Sequence, residues 1–343
     1  MKQRVLITGG AGFIGTNLVR HMVSRGHEVL NVDCLTYAGN LNSLKDVESS
    51  ANYAFSRVDI RHSEALHKVV SGFAPDWVMH LAAESHVDRS IDGPRQFVET
   101  NVLGTFNLLQ VSLQYFRSKS NPSQSAFRFL HVSTDEVYGS LGATGLFTED
   151  SRYMPHSPYA ATKAASDHLA RAWQDTYGLP VIVSNCSNNY GPYQFPEKLI
   201  PVVIMKCLRS EKIPVYGKGE NVRDWLYVED HCEALSLILE KGTPGETYNV
   251  GGNNEKRNID LVRLICSILD ELKPRPDGKC YSEQIMFVPD RPGHDWRYAI
   301  DATKVSEQLG WKPKNDDEAG FRKTVMWYLE NQAWWQPFVS AQK

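Results

Sequence analysis

Tyr159 and Lys163 stand four residues apart at the start of a segment that reads as a helix, so both side chains project from one helical face. An ammonium beside a phenol, with an oxidised cofactor's positive charge close by, pulls the phenol's pKa down from about 10 toward neutrality, which would make Tyr159 a base for an alcohol undergoing oxidation. Upstream, Ser133-Thr134-Asp135-Glu136 sets a hydroxyl and two adjacent carboxyls at the end of a strand-like run. The carboxyls can act as acid and base if burial keeps one of them protonated. Each pattern has an ordinary reading as well. Tyr-x-x-x-Lys pairs are common on solvated helices, and an Asp-Glu pair can be a turn cap beside a solvated neighbour.

Oxidation needs an acceptor, and the N-terminus offers a place for one. Gly9-Gly10-Ala11-Gly12-Phe13-Ile14-Gly15 follows a predicted strand, Val5–Thr8, and opens a predicted helix, Phe13–Ser24. Glycines suit a tight turn that lets the backbone approach a pyrophosphate, and the helix start offers it unpaired N–H groups. Asp33 closes the next predicted strand, Glu28–Asp33, near the spacing of a ribose-binding acid. A carboxylate there accepts from both ribose hydroxyls and repels a 2′-phosphate, which favours NAD over NADP. Asp59 and Ile60, after Tyr53–Val58, could bracket the adenine; Leu81, Ala82 and Ala83, after Trp77, are small enough to let a cofactor lie against the backbone.

These residues need a scaffold that gathers strand ends. Strand-like runs alternate with helical ones: Ser63–Ser71, a strand at Trp77–Leu81, a long helix at Arg95–Phe116, and a strand at Arg128–Ser133. Such alternation predicts an α/β fold with a doubly wound parallel Rossmann sheet, whose ligands sit at the strands' carboxyl ends. Past Asn185 proline and glycine punctuate the chain, and short helices (Ile200–Leu208, Glu229–Leu239, Asn258–Leu269, Glu318–Asn331) suggest a smaller α/β C-terminal lobe. Phe321, Val325, Tyr328 and Leu329 fall at helical spacing and read as core. The division expected is 1–185 and 186–343, with the chain free to cross between lobes.

At 343 residues, 42% apolar and 22% charged, the chain has the composition of a globular enzyme rather than a disordered or membrane protein. A net charge of −3 provides no bulk attraction to nucleic acid or to an anionic membrane. The apolar run Val5-Leu6-Ile7 is too short for a signal segment, and six scattered cysteines without a Cys-x-x-Cys pair read as reduced thiols. The expectation is a cytoplasmic protein without a metal.

With Thr8-Gly-Gly-Ala-Gly-Phe-Ile-Gly15, Ala82-Ala-Glu-Ser-His-Val-Asp-Arg-Ser90, Thr134-Asp-Glu136, Tyr159…Lys163, Asn188-Asn-Tyr-Gly-Pro192, Arg223-Asp-Trp225 and Asp290-Arg-Pro-Gly-His-Asp295, the chain resembles the extended short-chain dehydrogenase/reductases. Within that superfamily it looks most like the dTDP-glucose 4,6-dehydratases, from Arg4 to about Trp335. The resemblance implies a lyase that oxidises carbon 4 of dTDP-glucose, eliminates water across carbons 5 and 6, and returns hydride to carbon 6. NAD would be held throughout, and the product would feed 6-deoxysugars such as dTDP-rhamnose. It implies Tyr159 as the carbon-4 base with Thr134 on the same oxygen, Glu136 as the carbon-5 base, Asp135 as the acid on the leaving hydroxyl, and Lys163 on the nicotinamide ribose. An elimination needs those two extra carboxyls, whereas a 4-epimerase needs only hydroxyl, Tyr and Lys. It adds Thr100 and Asn189 to the cofactor set. For the nucleotide sugar it implies Ser85, Asn188, Lys198, Leu199, Pro201, Pro214, Tyr216, Arg223, Asn258, Arg291 and His294, with the guanidinium groups on the diphosphate. His86 and Asp88 would touch the sugar or brace the loop.

By analogy, the Arg95–Phe116 and Tyr159–Tyr177 helices would pair with their copies in a homodimer. The segment Ser140–Ser151 is compact where some relatives carry a longer loop, and Ala160 stands where many have Ser. Two rivals remain: a UDP- or GDP-sugar 4,6-dehydratase or a 4-epimerase of the same superfamily, and a non-catalytic NAD-sensing protein.

Overall fold

Short apolar runs separated by amphipathic helices can bury both faces only if they stack as a parallel sheet between helical layers. The computed structural model, which describes residues 2–120, 126–315 and 317–340, has this architecture. Its strands are β1 (Arg4–Thr8), β2 (Glu28–Asp33), β3 (Tyr53–Arg57), β4 (Trp77–His80), β5 (Arg128–Thr134), β6 (Val181–Cys186), β7 (Asn188–Tyr190), β8 (Ile213–Tyr216), β9 (Val222–Tyr227), β10 (Thr247–Val250), β11 (Glu255–Arg257) and β12 (Ile285–Val288). The large sheet runs β10-β6-β5-β4-β1-β2-β3, and all its pairings are parallel. From β1 the chain moves to β2 on one side and later to β4 on the other, so a crevice opens at the carboxyl ends of β1 and β4.

Alternate residues of each strand feed opposite layers. Val5 and Ile7 of β1 pack with Leu18, Val19 and Met22 of the Phe13–Ser24 helix and with Leu235 and Leu239 of the Val228–Lys241 helix. Leu6 faces the other layer, with Leu66 and Val70 of Ser63–Phe73, Leu108 of Thr105–Ser118 and Trp173 of Pro158–Tyr177. After residue 185 the chain still contributes to the large sheet: the Val228–Lys241 helix covers it and β10 extends it beyond β6. A second core gathers Val203, Leu261, Ile265, Phe321, Val325 and Tyr328, with Leu329 packed against it. Two small sheets, β11-β9-β7 and β12-β8, flank this second core.

The long helix expected over Arg95–Phe116 is not one regular helix. The chain forms a short α-turn at Pro94–Phe97, a π-helical stretch at Val98–Gly104, and an α-helix only from Thr105 to Ser118. Asn101 explains the irregular stretch. It accepts from Glu84 N at 2.8 Å and donates to Glu84 O and Thr162 Oγ1 at 3.0 Å, which ties the wide turn to the loop after β4.

Three buried histidines add a pH-dependent element. His80 lies between Thr8 Oγ1 (2.7 Å) and Thr105 Oγ1 (2.9 Å), His131 bonds Asp167 Oδ1 (3.0 Å), and His231 bonds Asn189 Oδ1 (2.8 Å). Burial lowers all three, His131 to about 4 and His231 to about 3. A depressed histidine is neutral when folded and takes up its proton when unfolded, so its contribution is complete above about 6.5 and drains as pH falls toward the folded value. Between pH 6.5 and 4 the melting temperature should therefore drop, with His131 and His231 each contributing on the order of 3 kcal/mol. Thermal melts across that window check this, and a flat profile would contradict neutral burial.

Candidate active site

The glycine turn is shaped by contacts that leave no room for side chains. Gly9 has φ +75° and donates to Val32 O at 2.9 Å, and a Cβ there would come within 2.7 Å of the Ala82 backbone. A Cβ on Gly15 would land on the Gly9 carbonyl, whereas one on Gly12 would stop 3.4 Å from it. The helix starting at Phe13 has no side-chain cap and no acid in its first turn, so its leading N–H groups stay open to an anion. Asp33 is buried at the end of β2, where it accepts from Ala11 N (3.0 Å) and Leu35 N (2.8 Å). Burial raises its pKa, and the two backbone bonds pull it back.

A cavity of about 310 Å³ opens along these strand ends. Gly9, Gly12, Phe13, Ile14, Gly15, Asp33, Asp59, Ile60, Leu81, Ala82, Ala83, Thr100, Tyr159, Lys163 and Asn189 all line it, as do Ser85, Thr134, Glu136, Asn188 and Lys198. The cradle thus has elements that suit a dinucleotide: an uncapped helix start, a close backbone and a carboxylate at the end of β2. Asp59 faces the crevice while holding Arg61 in a bidentate pair.

At the far end stand the reactive groups. Thr134 ends β5, and its hydroxyl accepts from Glu136 N (3.3 Å), capping the turn Asp135–Tyr138. Asp135 is buried, and one of its carboxyl oxygens has no hydrogen-bond partner within the protein. Its pKa is pushed well up by burial first and then by the Glu136 and Asp224 carboxylates. Glu136 is raised by burial too, but Arg291, Arg223 and Lys198 pull it back toward the charged form. Asp135 is therefore the member that keeps its proton, and Glu136 the one that ionises.

Lys163 Nζ donates to the Val132 carbonyl at 2.8 Å. The depression expected for the Tyr159 phenol needs the nicotinamide's positive charge as well as the Lys163 ammonium, and in the protein alone the phenol is raised. Burial lifts it well above 10, with Glu136 the strongest raising charge and only Thr134 pulling it down among the main influences. Spacing places both side chains on one helix but says nothing of the phenol's desolvation, the largest influence on it.

On the other rim, several substrate-side residues gather around Asp88 instead of lining the cavity. Asp88 pairs with Arg291 (3.0 Å) and accepts from Tyr216 OH (3.3 Å), and the Tyr216 ring meets His294, which bonds Asp290 (2.6 Å). Lys198 Nζ donates to Ser85 O at 2.9 Å. Arg223 is buried, lies over the Tyr298 ring, and directs its donors to the Val222 and Asp295 carbonyls. It therefore fixes the Asp295 turn and places positive charge near Glu136. Pro214 and Tyr216 share the exposed face of β8, Pro201 is buried, and Leu199 packs on the second core. Asn188 and Asn258 each keep a buried side-chain oxygen without a partner.

Sequence reasoning missed Gln96, Cys186, Ser187, Gln194 and Glu197, all on the cavity wall. Ser187 follows β6, so the strand-end rule would have found it had β6 been recognised. Glu197 lies in an irregular loop with no periodic signal. Also missed was Asp167, one turn beyond Lys163, which is buried among His131, Ser133 (2.8 Å) and Tyr153 (2.9 Å).

The family model described as GDP-mannose 4,6 dehydratase matches residues 6–324. A probable dTDP-glucose 4,6-dehydratase of Sinorhizobium fredii is 61% identical over 97% of this chain and 95% of its own length. The chain belongs to the dTDP-glucose 4,6-dehydratases. Two solved structures agree. The Bacillus anthracis dTDP-glucose 4,6-dehydratase in complex with NAD superposes with a TM-score of 0.86 at 44% identity, covering 97% of this chain and 98% of that one. DesIV, the Streptomyces venezuelae dTDP-glucose 4,6-dehydratase with NAD and TYD bound, gives 0.88 at 43%, covering 97% and 99%. The family model's description names a different nucleotide sugar, and the near-full-length relatives decide between the two. No helix among the described residues is long and apolar enough to cross a membrane.

Proposed function

We propose that this enzyme dehydrates dTDP-glucose to dTDP-4-keto-6-deoxyglucose, with NAD held in the glycine-lined crevice. The observation that carries this reading is the buried carboxyl pair beside Thr134: Asp135, with one carboxyl oxygen unpartnered and its pKa pushed well up, next to Glu136, which three cations pull back toward the charged form. When bound, NAD⁺ supplies a two-electron store that takes hydride from carbon 4 and returns it to carbon 6, and a positive ring that favours the Tyr159 phenolate. Tyr159 accepts the carbon-4 hydroxyl proton while Thr134 hydrogen-bonds that oxygen. The ketone so formed acidifies the carbon-5 proton, which Glu136 removes. Asp135 donates its proton to the carbon-6 hydroxyl, which leaves as water, and Glu136 gives a proton back to carbon 5 as the hydride returns to carbon 6. Lys163, fixed by Val132, faces the cofactor ribose.

Lys198, Arg291 and His294, with Arg223 behind them, supply the positive charge for the diphosphate. Ser85, Asn188, Leu199, Pro201, Pro214, Tyr216 and Asn258 frame the nucleotide. Residues 1–185 carry the cofactor and the reacting groups, and most of 186–343 carries the nucleotide sugar. The protein works as a homodimer through Val98, Leu103, Phe106 and Tyr177, which stay exposed on the Val98–Ser118 and Pro158–Tyr177 helices. Its six cysteines are all free, in keeping with the cytoplasm.

The test is incubation with dTDP-glucose, UDP-glucose and UDP-galactose, following the base-induced absorbance of a 4-keto product. The signal should appear with dTDP-glucose. Its absence with every nucleotide, together with interconversion of UDP-glucose and UDP-galactose, would identify an epimerase instead.

A further inference from the structure

Glu197 lines the crevice, yet none of the proposed steps uses it. Its side chain is only 10% exposed and is held from three directions. Tyr37 OH donates to one carboxylate oxygen at 3.0 Å, bridging 160 residues of sequence. Arg89 Nε lies 3.4 Å from the other oxygen, with His86 Nε2 at 3.8 Å. The Arg89 guanidinium also sits 3.7 Å over the Tyr37 ring, whose edge meets Phe195. Burial lowers His86, so it contributes as a neutral ring, and the charges facing Glu197 are those of Arg89 and the adjacent Lys198.

The three chain segments that meet here are the walls of the crevice. Tyr37 belongs to the loop that leaves β2 at Asp33 and returns through Asn40 N to Ala11 O (2.9 Å), so it is tied to the glycine turn. His86 caps the helix Val87–Asp92 after β4 by accepting from Arg89 N. Glu197 and Phe195 lie on the segment that enters the second lobe just before the helix Leu199–Leu208. Parting these walls breaks the Tyr37 hydrogen bond to a largely buried carboxylate together with its ion pair to the half-exposed Arg89.

We infer that Glu197, with Tyr37 and Arg89, forms a clasp across the crevice that retains the dinucleotide between turnovers. The inference rests on the NAD reading above and gives it a physical means. The hydride taken from carbon 4 must return to carbon 6 of the same sugar, so loss of the reduced cofactor in mid-cycle would strand the ketone. A clasp made of side chains, outside the reacting atoms, slows that loss without altering the chemistry.

The experiment measures exchange of bound NAD for radiolabelled NAD in the full-length protein, with folding checked by thermal melting. Wild type should exchange slowly, and E197Q should exchange at least about tenfold faster. Y37F and R89M should each move the rate in the same direction. The E197Q/Y37F double variant should exceed E197Q by little, because both changes open one clasp. Should any single variant fail to fold, the other two carry the test. If the wild type retains NAD and no folded variant exchanges faster, the clasp is overturned and the functional reading stands. If the wild type takes up no NAD, both fall.

Discussion

Glu136→Gln should abolish formation of the 6-deoxy product while leaving the carbon-4 oxidation intact. The amide keeps the size of the side chain but cannot take the carbon-5 proton, and a lost general base typically costs about 10²- to 10⁴-fold. The variant should also make the first step easier. Glu136 is the strongest charge raising the Tyr159 phenol, so neutralising it lowers that pKa. The acid limb of the oxidation half-reaction should accordingly move to lower pH. Adding dTDP-glucose to the NAD-loaded variant should produce the near-ultraviolet absorbance of reduced nicotinamide, which persists because the cycle cannot finish. Solvent deuterium should fail to enter carbon 5. A variant that forms product at the wild-type rate would remove Glu136 from the role of carbon-5 base, and one that forms neither product nor reduced cofactor would indicate a damaged site.

Asp135 plays the complementary part, and the environment rather than the residue type separates the two. Both carboxyls are pushed up by burial. Only Glu136 has Arg291, Arg223 and Lys198 as its leading opposing influences, whereas Asp135 faces Glu136 and Asp224 before it feels Arg223. Two neighbours of the same chemical kind are thereby split into a base and an acid. The adjacency was visible in the sequence, but the assignment follows from three cations that come from residues 198, 223 and 291.

That difference marks what could be read from sequence and what could not. The turn Gly9–Gly15, Asp33 and the strand ends at 59–60 and 81–83 were legible because they obey local rules, namely backbone sterics and the exit of a strand into a crevice. Tyr159 and Lys163 lie on one helix as their spacing predicts, but the desolvation that raises the phenol in the protein alone leaves no mark in spacing. The return of residues 228–250 to the large sheet left no local mark, because β10 is only four residues, Thr-Tyr-Asn-Val, with neither an apolar run nor a clear alternation. The π-helical stretch at Val98–Gly104 depends on Asn101 meeting Glu84, a long-range match that periodicity does not record. The clasp of Tyr37, Arg89 and Glu197 joins two irregular loops and a short helix, Val87–Asp92, and has no sequence pattern at all.

Gly15→Ala and Gly12→Ala should separate the two functions of the glycine turn. At Gly15 an added methyl meets the Gly9 carbonyl and the Gly10 backbone, which cannot move without opening the join between β1 and the first helix. Overpacking of this kind costs about 1–3 kcal/mol, so Gly15→Ala should melt several degrees lower and purify without NAD. At Gly12 the nearest atom is the Gly9 carbonyl at 3.4 Å, an ordinary contact, and φ there is −82°. Gly12→Ala should therefore melt like wild type. Its methyl would still stand on the cavity wall at the uncapped helix start, where a pyrophosphate needs the bare backbone. The expected result is a stable protein with weakened NAD binding, seen as a higher dissociation constant in titrations of the apo-protein. A Gly12→Ala variant that binds NAD as tightly as wild type would move the pyrophosphate away from this turn, and a Gly15→Ala variant with unchanged melting would mean that the turn yields more easily than its contacts imply.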